Sequence, residues 1–302
     1  MVAGNQRAVS NPISIFHHNV CGIKGKTDEL IGSVSPNPPH ILCFSEHHLK
    51  TPEIDQISID GYRLGAVYSR QVLKGGGVCI FIQNNLECTN VELDKYCKEQ
   101  DIEACMIKLT STLHNILIMT VYRAPSGNFN LFLKKLDDVL KSLYRADLKV
   151  IICGDININY LTEGDRKSQL DAMLLTYGLA SIVHFPTRSQ GLSSTAIDNI
   201  FIDTNQFMNY IVSPLYNGLA DHDAQLLTLN DIHLQLNSHC TYTTRSFNTY
   251  SVEEFITKLS YESWGNIFSH TDNLDVDTLF NAFLSDYLRL FYTSFPICKK
   301  ST

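Results

Sequence analysis

The sequence has no apolar run near the roughly 18 residues that cross a bilayer. Its first residues, Met1–Asn11, are polar where a signal peptide would place an apolar stretch. Neither a membrane protein nor a secreted one is expected, and the chain reads as intracellular, nuclear or cytoplasmic. No two of its nine cysteines stand in C-x-x-C spacing, and nine is odd. That argues against a disulfide framework, and Cys43, Cys79, Cys105 and Cys153, inside apolar strand-like runs, read as reduced core thiols. A basic surplus is also missing: 24 Lys and Arg stand against 31 Asp and Glu, for a net charge of −7. Tight nonspecific binding to nucleic acid is therefore not expected. A site that gathers carboxylates around a cation is, however, acidic by construction. Internal repeats and low-complexity segments are absent.

What is present is enough apolar residue, 44% of 302, for one large domain or a domain with an appendage. Apolar runs of strand length occur at Ile13–His17, His40–Phe44, Gly77–Ile82, Ile102–Leu109, Ile116–Tyr122, Val150–Cys153, Ala196–Ile202, Tyr210–Pro214 and Ala224–Leu229. Helical spacing marks Asn130–Leu143 and Ser168–Tyr177. Many strands with few helices predict an α/β (α+β) chain: sheets packed face to face, with helices outside. After Asn230 the pattern fades into a polar stretch, Asn237–Tyr250, followed by helical candidates at Val252–Tyr261 and Val276–Phe295. The expected division is a disordered N-terminus at 1–10, a main domain at 11–230, and a linker with a helical connector at 231–302. The apolar face expected on Val276–Phe295 suggests a partner for the C-terminal helices.

Chemistry-bearing residues stand at the ends of the strand-like runs. Val150–Cys153 runs into Gly154, Asp155, Ile156 and Asn157. If the chain stays extended, period two puts Asp155 and Asn157 on one face, as a water-orienting base and a phosphate donor. An Asx turn ending a strand explains the same four residues. Asp221, His222 and Asp223 precede Ala224–Leu229 and place an imidazole beside carboxylates, with a plain surface loop as the other explanation. Asp198, an acid in an apolar run, needs a partner if buried, and His222 is the natural one. Glu46 ends a buried run and suits a hard cation. Asn19 ends another, and Tyr122 and Arg123 at a third end are both able to grip phosphate. Carboxylates for a divalent ion, another for water, and donors for phosphate oxygens are the parts of metal-assisted phosphodiester hydrolysis.

Taken in order, Asn19, Glu46, Tyr122, Asp155 with Asn157, Asp198, and Asp221 with His222 resemble the endonuclease/exonuclease/phosphatase superfamily over roughly residues 11–230. The resemblance implies a four-layer, deoxyribonuclease-like two-sheet β-sandwich flanked by helices, plus a helical C-terminal tail. It also implies a Mg²⁺ or Mn²⁺ site. Glu46 and Asp221 would bind the metal with Asn19 in support, and Asp155 would orient the water. Asn157 and His222 with Asp198 would stabilise the phosphate, and Tyr122 would lie near the leaving group. Arg123, Asn199 and Thr195 would add phosphate or DNA contacts. One position departs from the repair-nuclease arm: Cys21 stands where that arm has an acid.

Tyr122–Pro125, Gly75–Val78 and Ser193–Phe201 are similar to the endonuclease domain of non-LTR retrotransposons, which nicks target DNA. No Tyr-x-Asp-Asp box of a reverse transcriptase occurs, so a truncated or domesticated copy, or a fragment of a longer reading frame, is expected. A phosphatase of small phosphorylated ligands, or a catalytically inactive interaction protein, remains the alternative. Three decoys are set aside. Gly22–Thr27 is two residues too short for a phosphate loop, and Gly75–Gly77 reads as a tight hairpin turn. His17-His18 and His47-His48 point to opposite faces and cannot chelate one ion. No organic cofactor is expected.

Overall fold

Burial on both faces is what distinguishes the central strands of this chain from its edges. The structure, a computed structural model, describes residues 12–112, 115–143, 145, 148–191, 193–232, 234, 241–268 and 276–301. The expectation for residues 1–10 lies outside them. The chain begins with β1 (Ile13–Asn19), α1 (Thr27–Ser33), β2 (Ile41–Ser45), α2 (Thr51–Ile54), β3 (Tyr62–Tyr68) and β4 (Val78–Gln83). It continues with β5 (Cys88–Val91), β6 (Glu103–Leu109), β7 (Asn115–Tyr122), α3 (Phe129–Leu143), β8 (Leu148–Asp155) and α4 (Asp165–Leu175). Short strands β9 (Ala180–Ser181), β10 (Arg188–Gln190) and β11 (Ser193–Thr195) lead to β12 (Asp198–Ile202), β13 (Tyr210–Leu215) and β14 (Ala224–Leu229). The C-terminal part is β15 (Thr241–Arg245), α5 (Thr249–Tyr261), α6 (Gly265–Phe268), α7 (Val276–Ser294) and β16 (Ile297–Ser301).

Two six-stranded sheets result, in orders β13-β14-β1-β2-β4-β3 and β5-β6-β7-β8-β12-β9. At the centre of each is one parallel pair, β1 with β2 and β7 with β8, flanked by antiparallel neighbours. Ile15, Ile41, Cys43 and Ile80 of the first sheet meet Ile107, Ile118, Ile151 and Ile200 of the second in the inter-sheet core. Their sequence neighbours point the other way. Phe16, Leu42 and Phe81 pack toward Leu30 of α1 and Ile54 of α2. Met119, Ile152 and Phe201 pack toward Phe132, Leu136 and Leu140 of α3 and Leu170 of α4. Period-two alternation thus builds four layers, helix, sheet, sheet, helix, as expected.

Edges account for the strands that the apolar pattern does not show. β5 is a polar edge, and β3 carries Gly65 at a register shift between Leu64 and Ala66. The β3–β4 connection is the loop 69–77 rather than a tight turn, so Gly75–Gly77 is its closing segment. Its anchor is a buried ion pair: Arg70 Nη2 lies 2.6 Å from Glu103 Oε1, and Gly77 N–H donates to Glu103 Oε2 at 2.6 Å. The stretch expected to be a polar linker contains β15, paired antiparallel with β16. Phe247, Phe255, Phe291 and Phe295 pack together beside them, with ring centroids 4.6–6.1 Å apart. Among the described residues no helix is long and apolar enough to cross a membrane.

Candidate active site

Parallel pairing at the middle of each sheet brings the polar strand ends together. With Asn19 opposite Ser45, Asn19 and Glu46 emerge side by side. With Tyr122 opposite Asp155, the second sheet delivers a phenol and an acid in the same way. β12 enters antiparallel with Asp198 opposite Asp155, and β14 starts just after Asp221 and His222. Gly154 permits the closest of these approaches, since a β-carbon there would stand 1.8 Å from the Val121 carbonyl oxygen.

Asn19 joins the sheets. Its amide Nδ2 donates to Glu46 Oε1 and to Asp155 Oδ2, each at 2.8 Å. Its Oδ1 accepts from the Cys21 backbone N–H at 3.1 Å. With both amide hydrogens spent on carboxylates, the orientation of the group is determined. Burial pushes the Glu46 carboxyl up, but hydrogen bonds from His48, Asn19 and Tyr122 outweigh it, and the group lies below its ordinary value. His48 Nε2 is 3.0 Å from Glu46 Oε2. Tyr122 is buried, which pushes its phenol far up, so it stays a neutral donor.

Asp155 is in the opposite situation. It is 1% exposed, and burial followed by the charge of Asp198 raises its carboxyl well above the ordinary range. Such a carboxyl is suited to accepting a proton. Its Oδ1 takes the Asn157 N–H at 3.0 Å, an Asx turn.

His222 Nδ1 lies 2.7 Å from Asp198 Oδ2, and the Thr187 hydroxyl donates to the same oxygen at 2.8 Å. Burial lowers the imidazole, yet the charge and hydrogen bond of Asp198 outweigh it and raise His222 to about 9. Held by a buried carboxylate, the buried ring favours its protonated form. Asp221 is more open, with 44% of its side chain exposed. Arg188 holds its Oδ2 through Nε at 2.8 Å and Nη2 at 2.6 Å, and Cys21 Sγ lies 3.4 Å from Oδ1.

Several expectations need correction. The strand ends at Asp155, and Asn157, at φ 51°, leaves the pleat. Its Nδ2 donates to the Arg123 carbonyl at 2.8 Å. Arg123 is not a surface phosphate grip but fully buried. Its guanidinium donates to the carbonyls of Ile156, Asn157, Ala124 and Gly127 at 2.9–3.2 Å, and so locks the turn after Asp155. Asn199 shares the outer face with Phe201, away from Asp198, and accepts from Ser181 Oγ at 2.9 Å. Thr195 takes part through its backbone carbonyl, which accepts the Thr187 N–H at 2.8 Å. His47 bonds Tyr68 O while His48 bonds Glu46, so the pair does not converge.

Three residues of the rim, Thr187, Arg188 and His48, were missed as site residues. Their signal is weak: Thr187 and Arg188 follow a proline in an irregular segment, and His48 reads as half of a decoy pair. Backbone strain marks the same place. Cys21, Glu46, His48 and Asn157 have φ of 43°, 55°, 62° and 51°, a region costing on the order of 1–3 kcal/mol per residue with a β-carbon.

Glu46 and Asp221 with Asn19 Oδ1 present oxygen donors that suit Mg²⁺ or Mn²⁺. Asp198 Oδ1, buried and without a hydrogen-bond partner among the described residues, adds a further unspent oxygen close by. Asp155, Asp198 and His222 offer ligand atoms within 4.8 Å of one another.

No protein-family model and no curated protein matches this sequence. Solved structures do resemble it. The endonuclease domain of TRAS1, a telomere-specific non-LTR retrotransposon, matches with a TM-score of 0.58 at 16% identity, over 74% of this chain and 100% of that one. An AP endonuclease from Archaeoglobus fulgidus gives 0.57 at 16%, over 72% and 99%. TDP2 of D. rerio complexed with a single-strand DNA product gives 0.51 at 15%, over 73% and 99%. At these identities the likeness is one of architecture, and the chain shares the deoxyribonuclease-like two-sheet sandwich fold of these structures.

Proposed function

We propose that this chain is a metal-dependent endonuclease that hydrolyses DNA phosphodiester bonds, of the kind that nicks target DNA for a non-LTR retrotransposon. The observation that carries the reading is the Asn19 amide held between Glu46 and Asp155, with the His222–Asp198 pair beside Asp155. A solvent-reachable carboxylate and a dry one are thereby separated by one rigid group. The hydrolytic unit in this reading is residues 11–230, with 231–302 a connector. The three neighbours named above, all acting on nucleic acid or seen with it, support a DNA substrate. Ile256, Val276 and Phe280, exposed on the C-terminal helices, support a partner there.

Glu46 and Asp221, with Asn19, would hold Mg²⁺ or Mn²⁺, which when bound neutralises charge on the phosphate and polarises it. Asp155 takes the proton of the attacking water, a role that burial and Asp198 favour by raising its proton affinity. His222, kept protonated and oriented by Asp198 and Thr187, donates to the phosphate oxygens as charge develops. Asn157 holds the turn that aims Asp155, and Arg123 braces that turn from behind. Tyr122 positions Glu46 from the second sheet.

Nicking of supercoiled plasmid with Mg²⁺, with Mn²⁺ and with chelator tests this, alongside Asp155→Ala and His222→Ala. Each substitution is expected to reduce a metal-dependent nicking rate about a hundredfold or more. Equal activity in the variants would defeat the assignment. No nicking by folded wild type would favour the phosphatase or the inactive interaction protein, which phosphate release from small substrates separates.

A further inference from the structure

Cys21 lies two residues after β1 with its thiol partly exposed beside Asp221, unlike the buried thiols of Cys43, Cys79, Cys105 and Cys153. Its Sγ lies 3.4 Å from Asp221 Oδ1 and 3.5 Å from Asn19 Oδ1. One donor atom from each of Cys21, Asp221 and His222 lies within 4.8 Å of the other two. Sulfur, carboxylate oxygen and imidazole nitrogen together form a donor set that Mg²⁺ does not favour and Zn²⁺ or Cd²⁺ does.

Two further contacts fit a ligand role for this trio. His222 gives Nδ1 to Asp198 at 2.7 Å, which leaves Nε2 as the nitrogen able to reach a metal. A carboxylate behind the imidazole is the usual support of a metal-binding histidine. Arg188 occupies only Oδ2 of Asp221, so Oδ1, the oxygen facing Cys21, stays open to a cation.

We propose that Cys21, Asp221 and His222 form a thiophilic cation site for Zn²⁺ or Cd²⁺, and that its occupation shuts off hydrolysis in the same cleft. Binding involves no change in oxidation state. The Sγ–H and ring N–H protons leave to solvent as the sulfur–metal and nitrogen–metal bonds form. A metal on His222 removes the donor that the phosphate needs, and a metal on Asp221 takes a carboxylate from the catalytic cation. The inhibitory half rests on the endonuclease reading; the binding half does not.

Chelator-stripped full-length chain titrated with Cd²⁺ tests the binding half without DNA. Wild type is expected to develop the near-ultraviolet thiolate-to-cadmium absorbance, saturating at one equivalent and persisting in excess Mg²⁺. Cys21→Ser should abolish it. Asp221→Asn should weaken Cd²⁺ binding by at least about tenfold, the lower end of what even supporting groups contribute at metal sites. Variants at the three other partly exposed thiols among the described residues, Cys88→Ser, Cys97→Ser and Cys298→Ser, should retain the band. A band that survives Cys21→Ser, or no band from folded wild type, overturns the site.

For the inhibitory half, Zn²⁺ is titrated into Mg²⁺-supported nicking and the ratio of rates with and without Zn²⁺ is read within each protein. Cys21→Ser should need at least about ten times more Zn²⁺ than wild type for the same suppression, and equal sensitivity overturns this half. If wild type never nicks, the endonuclease reading and the inhibitory half fail together, while the cadmium spectrum still decides the site.

Discussion

The two sheets share one strand plan and deliver opposite environments. Each has a parallel pair at its centre with antiparallel strands on either side. The rim of the first supplies Glu46, with 21% of its side chain exposed, and Asp221, with 44%. The rim of the second supplies Asp155 at 1% and Asp198 at 0%. Topology sets where carboxylates emerge, while local covering sets what they can do. Oxygens that water reaches suit a hydrated hard cation. Carboxylates kept dry suit holding a proton or a positive charge.

Exchanging the roles of the two rims carries the largest expected effect. Asp155→Ala is expected to slow metal-dependent nicking about 10²–10⁴-fold while Mn²⁺ affinity, read by its paramagnetic effect on water relaxation, stays near wild type. Glu46→Ala should weaken that affinity at least tenfold, more than supporting groups alone contribute. The reverse pattern would mean that the metal sits on the second sheet.

Arg123→Met asks whether the dry rim depends on its brace. Four carbonyls lose a buried donor, and urea unfolding should show a loss of about 3 kcal/mol or more. A loss within about 0.5 kcal/mol, the ordinary range for surface substitutions, would return Arg123 to the surface.

The His222–Asp198 pair makes the dry rim sensitive to pH. The folded value of His222 is raised from 6.5 to about 9, so the pair's stabilisation is fully present below about pH 6.5 and is lost as pH rises through about 9. In chelator, the stability of wild type relative to His222→Gln should therefore fall between about pH 6 and pH 9.5, by on the order of 3 kcal/mol. A pH-independent difference would mean that the ring is neutral. Thr187→Val is the gentlest test. Losing the hydroxyl that donates to Asp198 Oδ2 and accepts from the Asp198 N–H should cost about 1 kcal/mol or more and about fivefold or more in nicking rate, and an unchanged rate would leave Thr187 a packing residue.

The sandwich was legible because the central strands are built mostly on Ile, Val, Leu, Phe, Met and Cys and could only be covered on both sides. β3 and β5 were not, since an edge strand needs no such run. Asp155, Asp198 and Glu46 were legible for a related reason: an acid at the end of an apolar run stands out. Arg123 misled because a strand-end guanidinium looks the same in sequence whether it faces solvent or folds back on turn carbonyls. Period two could have turned Asn199 away once Asp198 was given to the cleft. Thr187, Arg188 and His48 acquire meaning only through partners 11, 33 and 2 residues away. Pattern reading fails even at the shortest of these, because it crosses a left-handed backbone.

That left-handed backbone has an evolutionary reading. At Cys21, Glu46, His48 and Asn157, glycine would fit the chain better than the residue present. Selection for heat resistance alone would drift these positions toward glycine, and selection for chemistry would hold them where they are. A copy of this sequence released from its catalytic task should therefore become sturdier first at the places where it stops working.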